Sequence, residues 1–268
     1  MSMRTTFWHR WFGIPYSLNI RHKRRIRKAQ TTYLFIHGLG DTGDLWKHLI
    51  DQLPENTNYL AFDLLGFGDS PRPDWAKYDA RAQARSVLAT YLKQGITGPV
   101  TVVGHSLGAL VAVEFAKRYP LLTQELVLCS PPIYEKPSGA RIPKRQEDIL
   151  RSIYRKVSKT PKLIVRGYGF GKRIRIFTDS LNVVDENVDV FVKSLNASII
   201  NQKTIHDIGR LNVPITILNG LLDPLVVRPN LVKLAKNNLN IKLVDVPASH
   251  SVVGIYEKAV LKVLKVIK

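Results

Sequence analysis

The run Val100-Thr101-Val102-Val103-Gly104-His105-Ser106-Leu107-Gly108-Ala109-Leu110-Val111-Ala112-Val113-Glu114-Phe115-Ala116-Lys117-Arg118-Tyr119-Pro120 decides how this chain is read. A short β-branched run leads into Gly-x-Ser-x-Gly, and a stretch with helical spacing follows and stops at a proline. A serine on so sharp a strand-to-helix turn projects its Oγ above the sheet. The two glycines let neighbouring backbone pass where a side chain would collide. Helix N–H groups left unpaired just after Ser106 would face a developing oxyanion, which suits acyl transfer. Small Gly108, Ala109 and Ala112 give the helix a face that can lie close to a sheet. The five-residue pattern alone is weak, and the bland alternative for Ser106 is a helix N-cap. The surrounding strand, turn and helix favour a nucleophile.

A serine hydroxyl needs a base and an orienting acid, so an acid and then a histidine should follow in chain order. Pro214-Ile215-Thr216-Ile217-Leu218 reads as a strand running into Asn219-Gly220-Leu221-Leu222-Asp223-Pro224, with Asp223 just past its end. Ile241-Lys242-Leu243-Val244-Asp245-Val246 is a further strand, followed by Pro247-Ala248-Ser249-His250-Ser251. His250 is the expected general base and Asp223 its partner. An Asx-turn before Pro224 is the alternative for Asp223, and Asp245, inside its strand, is the spare carboxylate. Upstream, Tyr33-Leu34-Phe35-Ile36 ends in His37-Gly38-Leu39-Gly40-Asp41-Thr42-Gly43. This glycine-rich loop should bring the backbone N–H of Leu39 beside that of Leu107, a two-donor oxyanion hole. His37, at the strand end before a tight turn, reads as a loop-holding histidine rather than the base.

His37-Gly38, Asp63-Leu64-Leu65-Gly66-Phe67-Gly68-Asp69-Ser70, Gly104 to Gly108, Asp223 and His250 together resemble the α/β-hydrolase fold family. All occur in that family's order. The resemblance covers the chain except its first thirty residues and the stretch from about 134 to 207. It implies a mostly parallel eight-stranded sheet with helices on both faces, a Ser-His-Asp triad at the carboxyl ends of strands, and often a helical lid. Family members that remove halide or open epoxides carry aspartate as nucleophile, so Ser106 speaks against those activities.

Without the family, the alternation of apolar runs still argues an α/β fold with a parallel sheet covered on both faces. Strands are expected near 33–36, 59–62, 100–103, 125–129, 214–218 and 241–246. Helices are expected near 44–53, 79–94, 106–118, 228–237 and 251–267. Between Pro131-Pro132 and Asn212-Val213-Pro214 the rhythm breaks for far longer than an ordinary loop. Gln146 to Val157 and Val188 to Ile200 have the mixed spacing of short amphipathic helices, so the insertion reads as a lid over Ser106. The expected organisation is a hydrolase core over 1–133 and 208–268, with a helical cap over 134–207.

The 268 residues, 45% hydrophobic, suffice for one large α/β domain. Cys129, the sole cysteine, lies in an apolar strand and cannot form an internal disulfide. Arg4, His9 and Arg10 interrupt the opening segment, and no 18-residue apolar stretch occurs, so a cytoplasmic location is expected. Neither a cofactor nor a metal site is read from the sequence. The formal net charge is +19 and uneven: residues 1–30 carry eight Lys or Arg and no acid, and 136–178 carry thirteen against Glu147 and Asp148. A solvated basic surface is the plain explanation. The sharper one is contact with anionic membrane through Arg4, Trp8, Arg10, Trp11, Arg24 and Arg25, since Phe7, Trp8, Trp11 and Phe12 sit at roughly helical spacing beside arginines. Nucleic acid is not expected, because no aromatic platform interleaves with the basic run. The expected activity is cleavage of a carboxylic ester. The resemblance equally allows thioesters, carbon–carbon bonds of β-diketone type, amides or transfer to an acceptor other than water, and a non-catalytic binding protein on the same scaffold is the remaining class.

Overall fold

The computed structural model describes residues 3–137, 145–160 and 188–266, without the side chains of 3–6. Its centre is a sheet ordered β1-β3-β2-β4-β5-β6-β7. The strands are β1 Ile20–Arg24, β2 Thr31–Ile36, β3 Thr57–Phe62, β4 Val100–His105, β5 Thr123–Cys129, β6 Ile215–Gly220 and β7 Ile241–Val246. All neighbours pair in parallel except β1, which runs antiparallel to β3 at one edge. Parallel strands need crossovers, and these bring helices onto both faces.

Alternation along each strand divides the core in two. Leu34, Ile36, Leu60, Phe62, Val102 and Leu126 face one layer, which includes α3 Ala80–Lys93, α4 Leu107–Arg118 and α8 Arg228–Asn237. Tyr33, Phe35, Ala61, Val103, Val127 and Cys129 face the other, built on Trp46, α2 Lys47–Ile50 and α9 Ile255–Val263. Asp79 caps α3 by accepting the Ala82 N–H at 2.7 Å. α9 starts later than expected because the chain turns through Gly254 at φ 58°.

Among the described residues the sheet has seven strands, where the resemblance implies eight. The chain ahead of edge strand β1 forms helix α1 Met3–Trp11 and an irregular segment instead, and β7, at the other edge, is followed by α9. β1 is a strand that the sequence reading did not expect within the basic first thirty residues. Among the described residues Ile20 to Arg24 pairs only with β3, and its charged side chains keep an exposed edge from recruiting further strands.

The segment between β5 and β6 carries α5 Gln146–Lys159, α6 Val188–Ser194, a wide turn Leu195–Ile200 and α7 Thr204–Ile208. The expected cap over 134–207 falls partly on residues 138–144 and 161–187, outside the described residues. The described part touches the loop between β3 and α3: Lys193 Nζ donates to Asp74 O at 2.9 Å, and Ser198 Oγ to Tyr78 O at 3.3 Å. No helix of the described residues is long and apolar enough to cross a membrane.

Candidate active site

β4 is the middle strand of seven and buried throughout, so the chain emerges from its carboxyl end with neighbouring strands on both sides. The chain leaves it at Ser106, φ 52° and ψ −116°, and enters α4 at once. A serine held at positive φ costs on the order of 1–3 kcal/mol, which the surroundings must impose. They do so through the Ser106 N–H, bonded to Cys129 O at 2.9 Å, and through three glycines. A Cβ on Gly104 would lie 2.4 Å from Gly108 O, and one on Gly108 would lie 2.3 Å from Ile36 O. A Cβ on Gly38 would come within 3.3 Å of the Ser106 Cβ. The β2 loop therefore lies directly against the serine turn, with Leu39 next in the chain. Leu107 is the first residue of α4, so its N–H has no helical carbonyl to bond.

Asp223 and His250 arrive from the same edge, in the loops after β6 and β7. His250 Nδ1 lies 2.6 Å from Asp223 Oδ2, and the Asp223 side chain is wholly buried. The other carboxylate oxygen accepts the Leu225 N–H at 2.9 Å. Burial pushes the Asp223 carboxyl up, but the His250 charge and hydrogen bond, with those of Leu225 and Ser130, hold it below the usual range. Asp223 is thus an anion that accepts from Nδ1–H, an orientation that, whenever the ring is neutral, places its lone pair on Nε2, the form a base requires. Asp245, the spare carboxylate, is taken by Arg228 at 2.6 Å and Asn219 at 2.8 Å.

His37 holds loops together. Its Nε2 accepts the Leu64 N–H and its Nδ1 donates to Gly38 O, both at 2.7 Å. Three residues near the site were not singled out from the sequence. His105 Nε2 donates to His250 O at 2.9 Å, anchoring the loop that carries His250, and its Nδ1 is buried without a partner. Ser130, φ 47°, donates to the Tyr256 hydroxyl at 3.1 Å and also bears on Asp223. Tyr134 reaches the same loop, donating to Leu225 O at 2.8 Å. Among the described residues no group of three or more His, Cys, Asp or Glu could hold a metal ion.

The buried histidines give a stability signature. Burial pushes His105 down to about 3 and also lowers His37. Unfolded histidines take a proton near pH 6.5 that the folded protein refuses, so their neutral burial stabilises fully above that value. It is lost as pH falls from about 6.5 toward 3. Asp63 and Asp223, both depressed, add a further loss below about pH 4. Calorimetric Tm should therefore already drop between about pH 6.5 and 5, with a shallower slope in His105→Gln. Equal slopes for the variant and the wild type would contradict this origin.

A family model described as the alpha/beta hydrolase family matches residues 33–254. The chain belongs to that family. Its relatives include the "probable lysophospholipase BODYGUARD 1" of Arabidopsis thaliana, 31% identical over 119 residues, covering 42% of this chain and 25% of that protein. The chain thus matches about a quarter of that relative's length. Among solved structures, an esterase from Thermogutta terrifontis superposes with a TM-score of 0.67 at 20% identity, over 88% of this chain and 89% of the other. MGS-M2, an alpha/beta hydrolase from a Medee basin deep-sea metagenome library, gives 0.70 at 18% identity, over 92% of each chain.

Proposed function

We propose that this protein is a serine hydrolase that cleaves a carboxylic ester through Ser106, His250 and Asp223. The observation that carries the reading is the buried 2.6 Å contact of His250 with Asp223 at the sheet edge where Ser106 is held in a strained turn. His250 Nε2 takes the Ser106 proton as Oγ attacks the acyl carbonyl, and Asp223 stabilises the imidazolium that forms. The N–H groups of Leu39 and Leu107 hold the oxyanion, the alcohol leaves with the proton from His250, and water activated by the same base releases the acid. The segment 134–207 acts as a cap, consistent with the hydrogen bonds from Lys193 and Ser198 to the β3–α3 loop.

Esters are favoured over the other acyl bonds because an esterase and a probable lysophospholipase stand among the similar proteins. A panel of p-nitrophenyl esters and acyl thioesters of increasing chain length tests this. Ester turnover that rises with chain length supports a lipid-like acyl group. Turnover confined to thioesters overturns the ester assignment while keeping the triad.

A further inference from the structure

Helix α1 and the residue after it turn four large aromatic side chains to solvent. Phe7 and Trp8 are half exposed, Trp11 72% and Phe12 62%. Three of the rings form one surface: Phe7 lies 5.7 Å from Trp8 and 5.8 Å from Phe12, and Trp8 lies 4.9 Å from Phe12, between centroids. A soluble monomer seldom displays so contiguous an apolar patch without a use for it.

The patch is tied to the body of the molecule. His9 stacks on Tyr16 at 3.6 Å, Tyr16 packs against Trp75 at 5.9 Å, and Arg85 donates to Gly13 O at 2.6 Å. Trp75, itself partly exposed, lies in the loop that leaves the carboxyl end of β3. The loops bearing Ser106, Asp223 and His250 leave the same edge of the sheet. The aromatic surface and the candidate site therefore share one side of the molecule.

Its surroundings are basic. Lys77, Arg81 and Arg85 border one cleft with His9 and Trp75, and Arg10 is exposed on α1 itself. Of the nearby acids, Asp79 is engaged in capping α3. Exposed tryptophans within a positive collar match the headgroup region of an anionic bilayer, where indole rings settle and lysine or arginine meets lipid phosphate.

We propose that the face formed by α1 and the β3–α3 loop docks the protein on an anionic lipid surface, with the carboxyl edge of the sheet toward the lipid. The contact set read from the sequence then divides. Arg24 pairs opposite Tyr59 near the amino end of β3, where its Nη1 donates to Pro54 O at 2.7 Å and its guanidinium lies over the Tyr59 ring. Arg25 follows it toward Gly95, just past the end of α3. Both stand at the edge away from the site, so Trp8, Arg10 and Trp11 belong to the docking face and Arg24 and Arg25 do not. The side chain of Arg4 lies outside the described residues. Docking is separate from the catalytic reading, because turnover of a water-soluble ester is measured without lipid.

Cosedimentation with phosphatidylcholine vesicles, with and without phosphatidylserine, tests the proposal. Wild type should bind the anionic vesicles and weaken as the Debye length shrinks from about 30 Å to about 10 Å between about 0.01 and 0.1 M salt. A Trp11→Ser, Phe12→Ser double variant should lose at least about tenfold in partitioning, and Arg24→Gln, Arg25→Gln less than about twofold. Soluble-ester turnover should be unchanged in both. In unmodified protein, brominated acyl chains should quench tryptophan fluorescence, which tests contact without any variant. Absence of anionic binding and of quenching overturns the proposal. So does equal binding by the aromatic variant, or loss of binding in the Arg24, Arg25 variant. An oligomer that falls to monomer in the aromatic variant would show that a second copy, not lipid, covers the patch.

Discussion

Ser106→Ala and His250→Ala should each lower kcat/KM for a soluble ester by roughly four to six orders of magnitude while leaving the fold intact. Ser106 forms and breaks the acyl bond in the proposed mechanism, and no other hydroxyl shares its position on the strained turn after β4. The double variant should be hardly worse than either single one, because a nucleophile without its base contributes little. Asp223→Asn should cost somewhat less, near the roughly 10⁴ seen when such an acid is made neutral, since the amide favours the wrong imidazole tautomer. Steady-state kinetics with matched circular dichroism spectra checks each point. More than about a tenth of wild-type turnover in purified Ser106→Ala would remove the serine from the mechanism.

The second large effect is on stability, and it comes from Asp63. Its side chain is wholly buried and gathers the N–H groups of Gly43 and Asp69 at 3.0 and 2.9 Å, Arg21 Nε at 2.9 Å, and Asn19 Nδ2 at 3.1 Å. Gly68 is obligatory beside it, since a Cβ there would fall 2.2 Å from Asp63 Oδ2. This is the physical content of Asp63-Leu64-Leu65-Gly66-Phe67-Gly68-Asp69-Ser70: one carboxylate ties edge strand β1, the loop after β2 and the loop after β3. Asp63→Ala strands several buried donors and should cost on the order of 3–5 kcal/mol in denaturant unfolding. Asp63→Asn keeps acceptor capacity on one oxygen and should cost less. A loss below about 1 kcal/mol for the alanine variant would mean the loops are held by packing alone.

What was legible in the sequence has a physical cause. Ser106 and Asp223 each follow a strand buried throughout, and such strands are readable because burial on both faces demands apolar residues. His250 follows β7, a half-exposed edge strand legible from its Ile, Leu and Val residues despite Lys242 and Asp245. β1 escaped for the opposite reason. Arg21-His22-Lys23-Arg24 carries no hydrophobic alternation, since an edge strand with half-buried faces is specified by pairing to β3 rather than by its own side chains. His105 and Ser130 were invisible because their roles depend on register. Pairing of His105 with Cys129 across β4 and β5 sets Ser130 beside the serine turn, and only the fold brings the His250 carbonyl to His105. The difference between Asp223 and Asp245 is likewise tertiary, since Arg228 on α8 engages Asp245 while Asp223 lies against His250.

The central claim is that Ser106 is an activated nucleophile, and covalent labelling tests it most directly. A fluorophosphonate incubated with the folded protein should add one phosphonyl group per chain, located on Ser106 by peptide mass spectrometry. His250→Ala should slow the labelling by several orders of magnitude, because Oγ would lack its base. An adduct on another residue, or no adduct on protein whose folding has been verified, would contradict the account.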